Sequence, residues 1–203
     1  MATINLFGAS GHAKVIMDII HAQGDEIGVL YDDAPHYTKI HNKPVLKASE
    51  TKIEAPLIIS IGSNKIRKLI SERYPLKYAK AIYPKAQISD TVSIGDGTVI
   101  TQGAIIQADT EIGRHCIINT GASVDHECKI EDFVHISPHA TLCGNVFVGE
   151  GSWIGAGSII IPGIKIGKWC VIGAGSVVLH NIPDGVIAFG NPCKINKQTN
   201  QDI

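Results

Sequence analysis

The chain has 203 residues, a formal charge of −1 and 44% hydrophobic residues, which allows one large folded domain or two small ones. It has no lysine or arginine cluster and so lacks the electrostatic signature of nucleic-acid or anionic-membrane binding, which leaves a small molecule or a second copy of the chain as partner. The N-terminus MATINLFGAS has no basic leader, no apolar stretch reaches spanning length, and the five cysteines lack CxxC spacing; the expectation is a cytoplasmic protein without a disulfide framework or a cysteine zinc site.

In chain order, TINLFG reads as an apolar strand and GASGH as a tight turn. AKVIMDIIHAQG reads as a helix with Val15, Ile16, Ile19 and Ile20 on one face. IGVLYDD is a second strand, PLIISIGS a third, NKIRKLISERY a second helix and KYAKAIYP a short closing strand. The alternation predicts a small, parallel, Rossmann-like α/β unit over residues 1–83. Its first turn, FGASGH at residues 7–12, is not GxGxxG, yet it offers free backbone N–H groups and a helix N-terminus to a diphosphate. Asp32 and Asp33 end the second strand, about twenty residues on, where an acid can hold ribose hydroxyls.

The grammar changes at Ile88. From there to Val178 an aliphatic residue recurs every six positions, sixteen times without a break. The position two residues earlier is mostly small (Ala104, Cys116, Ala122, Cys128, Ser158), and glycine often follows the aliphatic residue (Gly95, Gly113, Gly155). A helix or an amphipathic strand cannot keep a period of six. A prism of short parallel strands can, with three hexapeptides to a coil, the aliphatic residue pointing inward and turns at three corners. Each coil buries its apolar side against the coils above and below, so both ends need covers. The α/β unit serves one end of the segment 84–182. The tail 183–203, which leaves the period at Pro183, serves the other.

In this register Val124 points inward and His126 and Glu127 fall at a corner turn, facing out. Gly144, one coil of eighteen residues later, leaves a slot beside His126. Histidine, with an ordinary pKa of about 6.5, suits removal of a proton from an attacking nucleophile, and a neighbouring carboxylate can fix its tautomer. His115, His126, His135 and His139 occupy different places around the coil, so no metal is expected; His21, His36, His41 and His180 read as surface residues.

The repeat resembles the left-handed parallel β-helix of the hexapeptide-repeat acyltransferases over about residues 88–192, including FGNP at 189–192. VDHE, with INTGAS upstream, FVHIS downstream and GASGH near the N-terminus, resembles the bacterial nucleotide-sugar acetyltransferases that N-acetylate UDP-4-amino sugars, and their sialic acid O-acetyltransferase relatives. The resemblance implies a homotrimer with active sites between neighbouring prisms, acetyl-CoA as cosubstrate, and a UDP-4-amino-4,6-dideoxy sugar as acceptor in bacterial glycan assembly. It implies His126 as general base with Glu127 as its partner, Asn119 and His135 at the acetyl end, and Gly144, Ala156 and Ala174 along coenzyme A. It assigns Ser10, Gly11 and His12 to the diphosphate and sugar, Asp32 and Asp33 to the nucleoside, and Gly62 to the same ligand. Ala156 is smaller than some relatives carry there. Two other readings stay open: O-acetylation of a sugar, and a β-helix that is a metal-dependent hydratase or purely structural.

Overall fold

The computed structural model describes residues 1–199; residues 200–203 of the predicted tail lie outside the described residues. The first unit contains β1 (Thr3–Phe7), α1 (Gly11–Ala22), β2 (Glu26–Asp32), β3 (Lys39–Ile40), β4 (Lys43–Lys47), β5 (Leu57–Ile59) and α2 (Asn64–Arg73). The sheet order is β3-β4-β2-β1-β5, with β4, β2, β1 and β5 parallel and β3 antiparallel at the edge. The chain steps from β1 outward to β2 and β4, then returns to β5 on the other side of β1. That reversal opens a crevice at the carboxyl ends of β1 and β5, where open α/β sheets bind ligands. Gly8 closes β1 with φ +113°, and a Cβ there would lie 2.6 Å from Ile61 Cγ1, so the loops after β1 and β5 touch because Gly8 has no side chain.

Two features differ from the sequence reading. The hairpin β3–β4 is new: His41 and Asn42 take φ 44° and 63° at its turn, the left-handed pair that a two-residue hairpin needs. The strength of the usual signal comes from glycine, and here asparagine does the work. Second, KYAKAIYP does not close the α/β sheet. Tyr78 alone bridges to Leu57, whereas β6 (Ala81–Ile82) pairs with Val99–Ile100 and begins the solenoid. Ile82 stands six residues before Ile88, so the aliphatic period starts one hexapeptide earlier than its predicted onset.

From there each two-residue strand pairs in parallel with the strand eighteen residues away, as Ile105 with Ser123 and Ser123 with Thr141. Three sheets result. The first face runs from β6 through Val99–Ile100, Ile117–Ile118, His135–Ile136, Trp153–Ile154 and Val171–Ile172. The second runs from Gln87–Ile88 to Val177–Val178, and the third from Ser93–Ile94 to Lys165–Ile166. The inward aliphatic residues form one continuous buried core. The small position is buried too, and its hydroxyls donate to the next coil: Thr110 Oγ1 to Asp125 O at 2.9 Å and Ser152 Oγ to Gly167 O at 2.6 Å. Serine or threonine there satisfies itself inside the prism, which explains why a polar residue is tolerated beside isoleucine. The tail adds Val186–Phe189 in parallel to Val171–Ile172, then returns antiparallel as Lys194–Gln198, ending the first face with a hairpin.

Candidate active site

The corner between the second and third faces carries His126 and Glu127. Glu127 sits at φ +56°, and the left-handed turn swings its carboxylate back so that Oε2 lies 3.0 Å from His126 Nδ1. Both side chains are more than half exposed. The slot expected from Gly144 exists, and the imidazole fills it: a Cβ at Gly144 would lie 2.6 Å from both Cε1 and Nε2. The ring is therefore held from below by a glycine and from one edge by a carboxylate, with its other nitrogen free of the Glu127 contact. That is the arrangement of a base with an orienting partner.

Asn119 and His135 meet on the first face, where Asn119 Nδ2 lies 3.1 Å from His135 Nε2. Trp153, one coil further, stacks parallel on His135 with centroids 5.6 Å apart, and its Nε1 donates to Ser137 Oγ at 2.7 Å. His12, from the first turn of α1, reaches the same region. His12 Nε2 and His135 Nδ1 are buried and have no hydrogen-bond partner among the described residues. Burial, reinforced by the Arg67 charge, lowers His12 to about 4; burial, then Arg67 and His12, lowers His135 to about 3. Both rings are therefore neutral near pH 7.

The register separates these two groups. His126 lies on the corner opposite the first face, so one chain presents the base on one side of its prism and the His12, Asn119 and His135 group on the other. Gly144 shares the corner of His126, whereas Ala156 and Ala174 lie exposed, one coil apart, on the corner between the first and second faces. His139 shares the corner of Ala156 and Ala174 and His115 stands on the third corner, so the four histidines are spread around the coil.

In the α/β unit, Ser10 is the N-cap of α1 but makes no side-chain capping bond, and its side chain and Gly11 are exposed at the crevice. Gly62 is exposed after β5. Asp32 turns inward to the chain: Oδ2 accepts from Ala9 N at 2.8 Å and Oδ1 from Ala34 N at 2.9 Å. It braces the Gly8–Ala9 turn, while each oxygen keeps a lone pair. Asp33 pairs with Arg73 at 2.8 Å on the surface. Sequence reasoning missed Trp153, Asn64 and Arg67. The first had a signal, since it stands eighteen residues after His135; the other two carried none, because apart from the bond between them their partners are backbone carbonyls.

Comparison with known proteins joins the two halves of the chain. Residues 3–74 match the family described as PglD N-terminal domain, and residues 145–180 match the bacterial transferase hexapeptide repeats. The GDP-perosamine N-acetyltransferase of Escherichia coli O157:H7 is 29% identical over the whole of both chains. The UDP-N-acetylbacillosamine N-acetyltransferase of Bacillus subtilis is 42% identical over 49% of this chain and 51% of its own. Among solved structures, PerB from Caulobacter crescentus, in complex with CoA and GDP-perosamine, superposes with a TM-score of 0.89 at 34% identity, covering 96% of this chain and 97% of that one.

Proposed function

The chain belongs to the bacterial nucleotide-sugar acetyltransferases of the left-handed hexapeptide-repeat β-helix, and from that premise we propose how its two separated surfaces form one active site. It is an acetyl-CoA-dependent N-acetyltransferase acting on a nucleotide-activated amino sugar. Residues 1–83 hold the nucleotide sugar, 84–182 carry out the transfer, and the described part of the tail, 183–199, covers the end of the prism. In a homotrimer of such prisms, the corner bearing His126 lies against the first face of a neighbour. Each of the three clefts then receives a base from one subunit and an acetyl end, Asn119 and His135, from the next. The observation that carries this is the register, which puts His126 and His135 on opposite sides of one prism.

In the cleft the amine nitrogen attacks the thioester carbonyl carbon, forming the C–N bond. His126 takes the amine proton, and its positive charge is stabilised by the Glu127 carboxylate 3.0 Å away. Collapse of the tetrahedral intermediate breaks the C–S bond, and the departing sulfur takes the proton from His126. Coenzyme A lies along Gly144 of one subunit and Ala156 and Ala174 of its neighbour, where small residues permit backbone contact. Ser10, Gly11, His12 and Gly62 surround the diphosphate and sugar, with Asp32 and Asp33 at the nucleoside end.

The test has two parts. Purified protein is incubated with acetyl-CoA and GDP-, UDP- or dTDP-linked 4-amino sugars, and thiol release is followed; the names of the relatives make GDP and UDP the first carriers to try. Transfer to none of them, with sialic acid acetylated instead, would overturn the amine assignment. Then His126→Ala and His135→Ala proteins, each inactive, are mixed, denatured and refolded together. Random trimers contain intact clefts at about a quarter of their interfaces, so about that share of activity returns. No recovery would sink the shared site.

A further inference from the structure

Arg67, on α2, is 1% exposed, and all five of its N–H groups are engaged. Nε donates to His115 O at 3.0 Å. One terminal nitrogen donates to Ile61 O at 3.1 Å and Gly62 O at 2.8 Å, the other to Asn64 Oδ1 at 2.8 Å and Phe133 O at 3.0 Å. None of these five acceptors is a carboxylate. A buried cation without a counter-ion is costly to hold, and its burial lowers its own pKa to about 10. The partner list shows what that cost secures. Two acceptors lie in the loop after β5 that borders the crevice, and two are the carbonyls of successive coils, eighteen residues apart, on one solenoid corner. Asn64 extends the row by donating to Gly151 O at 2.9 Å and Ser152 O at 3.2 Å, the coil after that.

We propose that Arg67 is a positioning residue for acyl transfer: its planar fork sets the Ile61–Gly62 loop, which bears on the acceptor, in register with the coil that carries His135, two residues beyond Phe133. This rests on the functional reading above. A lysine has three donors on one point and cannot reproduce five bonds in a plane, so the proposal concerns shape as well as charge.

The test compares Arg67→Lys and Arg67→Met with the parent in the full-length protein. kcat is expressed per coenzyme-binding site, and the dissociation constant for CoA is measured separately. The expected result is a loss of about 100-fold in kcat for both variants, with CoA affinity within about twofold of the parent, the pattern of a misplaced acceptor. A residue that merely holds the fold together would lower the melting temperature and the number of binding sites but leave kcat per site unchanged; that result, or a Lys variant with parental kcat, overturns the proposal. If both variants fail to fold, Asn64→Ala, which removes the tie to the third coil and one acceptor of Arg67, carries the same comparison. A parent that binds CoA yet acetylates no amino sugar overturns the functional reading instead, so the two failures are distinct.

Discussion

Two corners of the prism have the same backbone and opposite fates. On the corner between the third and first faces, the left-handed turn positions are Gly97, His115, Phe133, Gly151 and Trp169. His115 stacks on Phe133 with centroids 5.2 Å apart, meets Tyr78 edge-on at 4.4 Å and lies over Gly97; α2 packs on top and ties the corner down through Asn64 and Arg67. On the corner between the second and third faces, the same positions are Asp109, Glu127, Asn145 and Gly163, and all four are exposed. Each corner bears a histidine whose ring rests on a glycine of an adjacent coil. The covered histidine is a packing piece; the bare one keeps its edge available for a partner and a substrate. What lies over a turn, more than the turn itself, decides its use.

The sharpest break in this comparison is His126→Ala. Loss of a general base costs about 100- to 10,000-fold in kcat, and because the ring is exposed the melting temperature should stay within a degree or two of the parent's. A large stability loss would mean that this corner, too, is structural. Next comes Gly144→Ala. The added Cβ would meet the His126 ring at 2.6 Å and push it off its seat, so kcat should fall by about 10- to 100-fold with intact folding; unchanged turnover would show that the seat does not matter.

Acid should attack the covered side first. His12 and His115 are lowered to about 4 and His135 to about 3, in each case mainly by burial. Unfolded, such rings titrate near 6.5, so below that pH the unfolded chain takes up protons that the folded chain refuses. Their stabilising contribution is whole above about pH 6.5 and falls by on the order of 1 kcal/mol per pH unit for each ring on the way to pH 4. Thermal melts from pH 7 to pH 4.5 check this, and the curve for His115→Ala should be flatter. At neutral pH His115→Ala should cost about 2 kcal/mol through the cavity it leaves against Phe133 and Tyr78, read from denaturant unfolding. The smallest effect is Glu127→Gln, which keeps the turn but loses the charge that steadies the imidazolium; kcat should drop by about tenfold with coenzyme affinity unchanged.

Much of this contrast can be read in the chain. The six-residue period locates every inward residue because an aliphatic side chain must meet its copies in the coils above and below, and Val124 and Ile130 thereby leave His126 and Glu127 outside. Gly144 was legible as a gap for the same reason, although its occupant, the imidazole itself, required coordinates. Asp32 shows the opposite case. At the end of a strand it reads as a ribose acid, and only the fold shows that it also braces the chain by accepting from the backbone N–H groups of Ala9 and Ala34, with a lone pair left on each oxygen. Tyr78 to Ile82 illustrates a segment whose pattern suits either neighbour; pairing with Val99–Ile100 won because Ile82 completes the solenoid's period.

The sequence by itself determined the solenoid, its register, the outward corner of His126 and the α/β unit ahead of it, since those follow from periodicities that only one backbone can satisfy. Only the tertiary structure decided which corner is covered and that Arg67 ties three segments through carbonyls. Backbone acceptors carry no residue signature, and the packing of one unit on another depends on shape in three dimensions, which a period along the chain does not record.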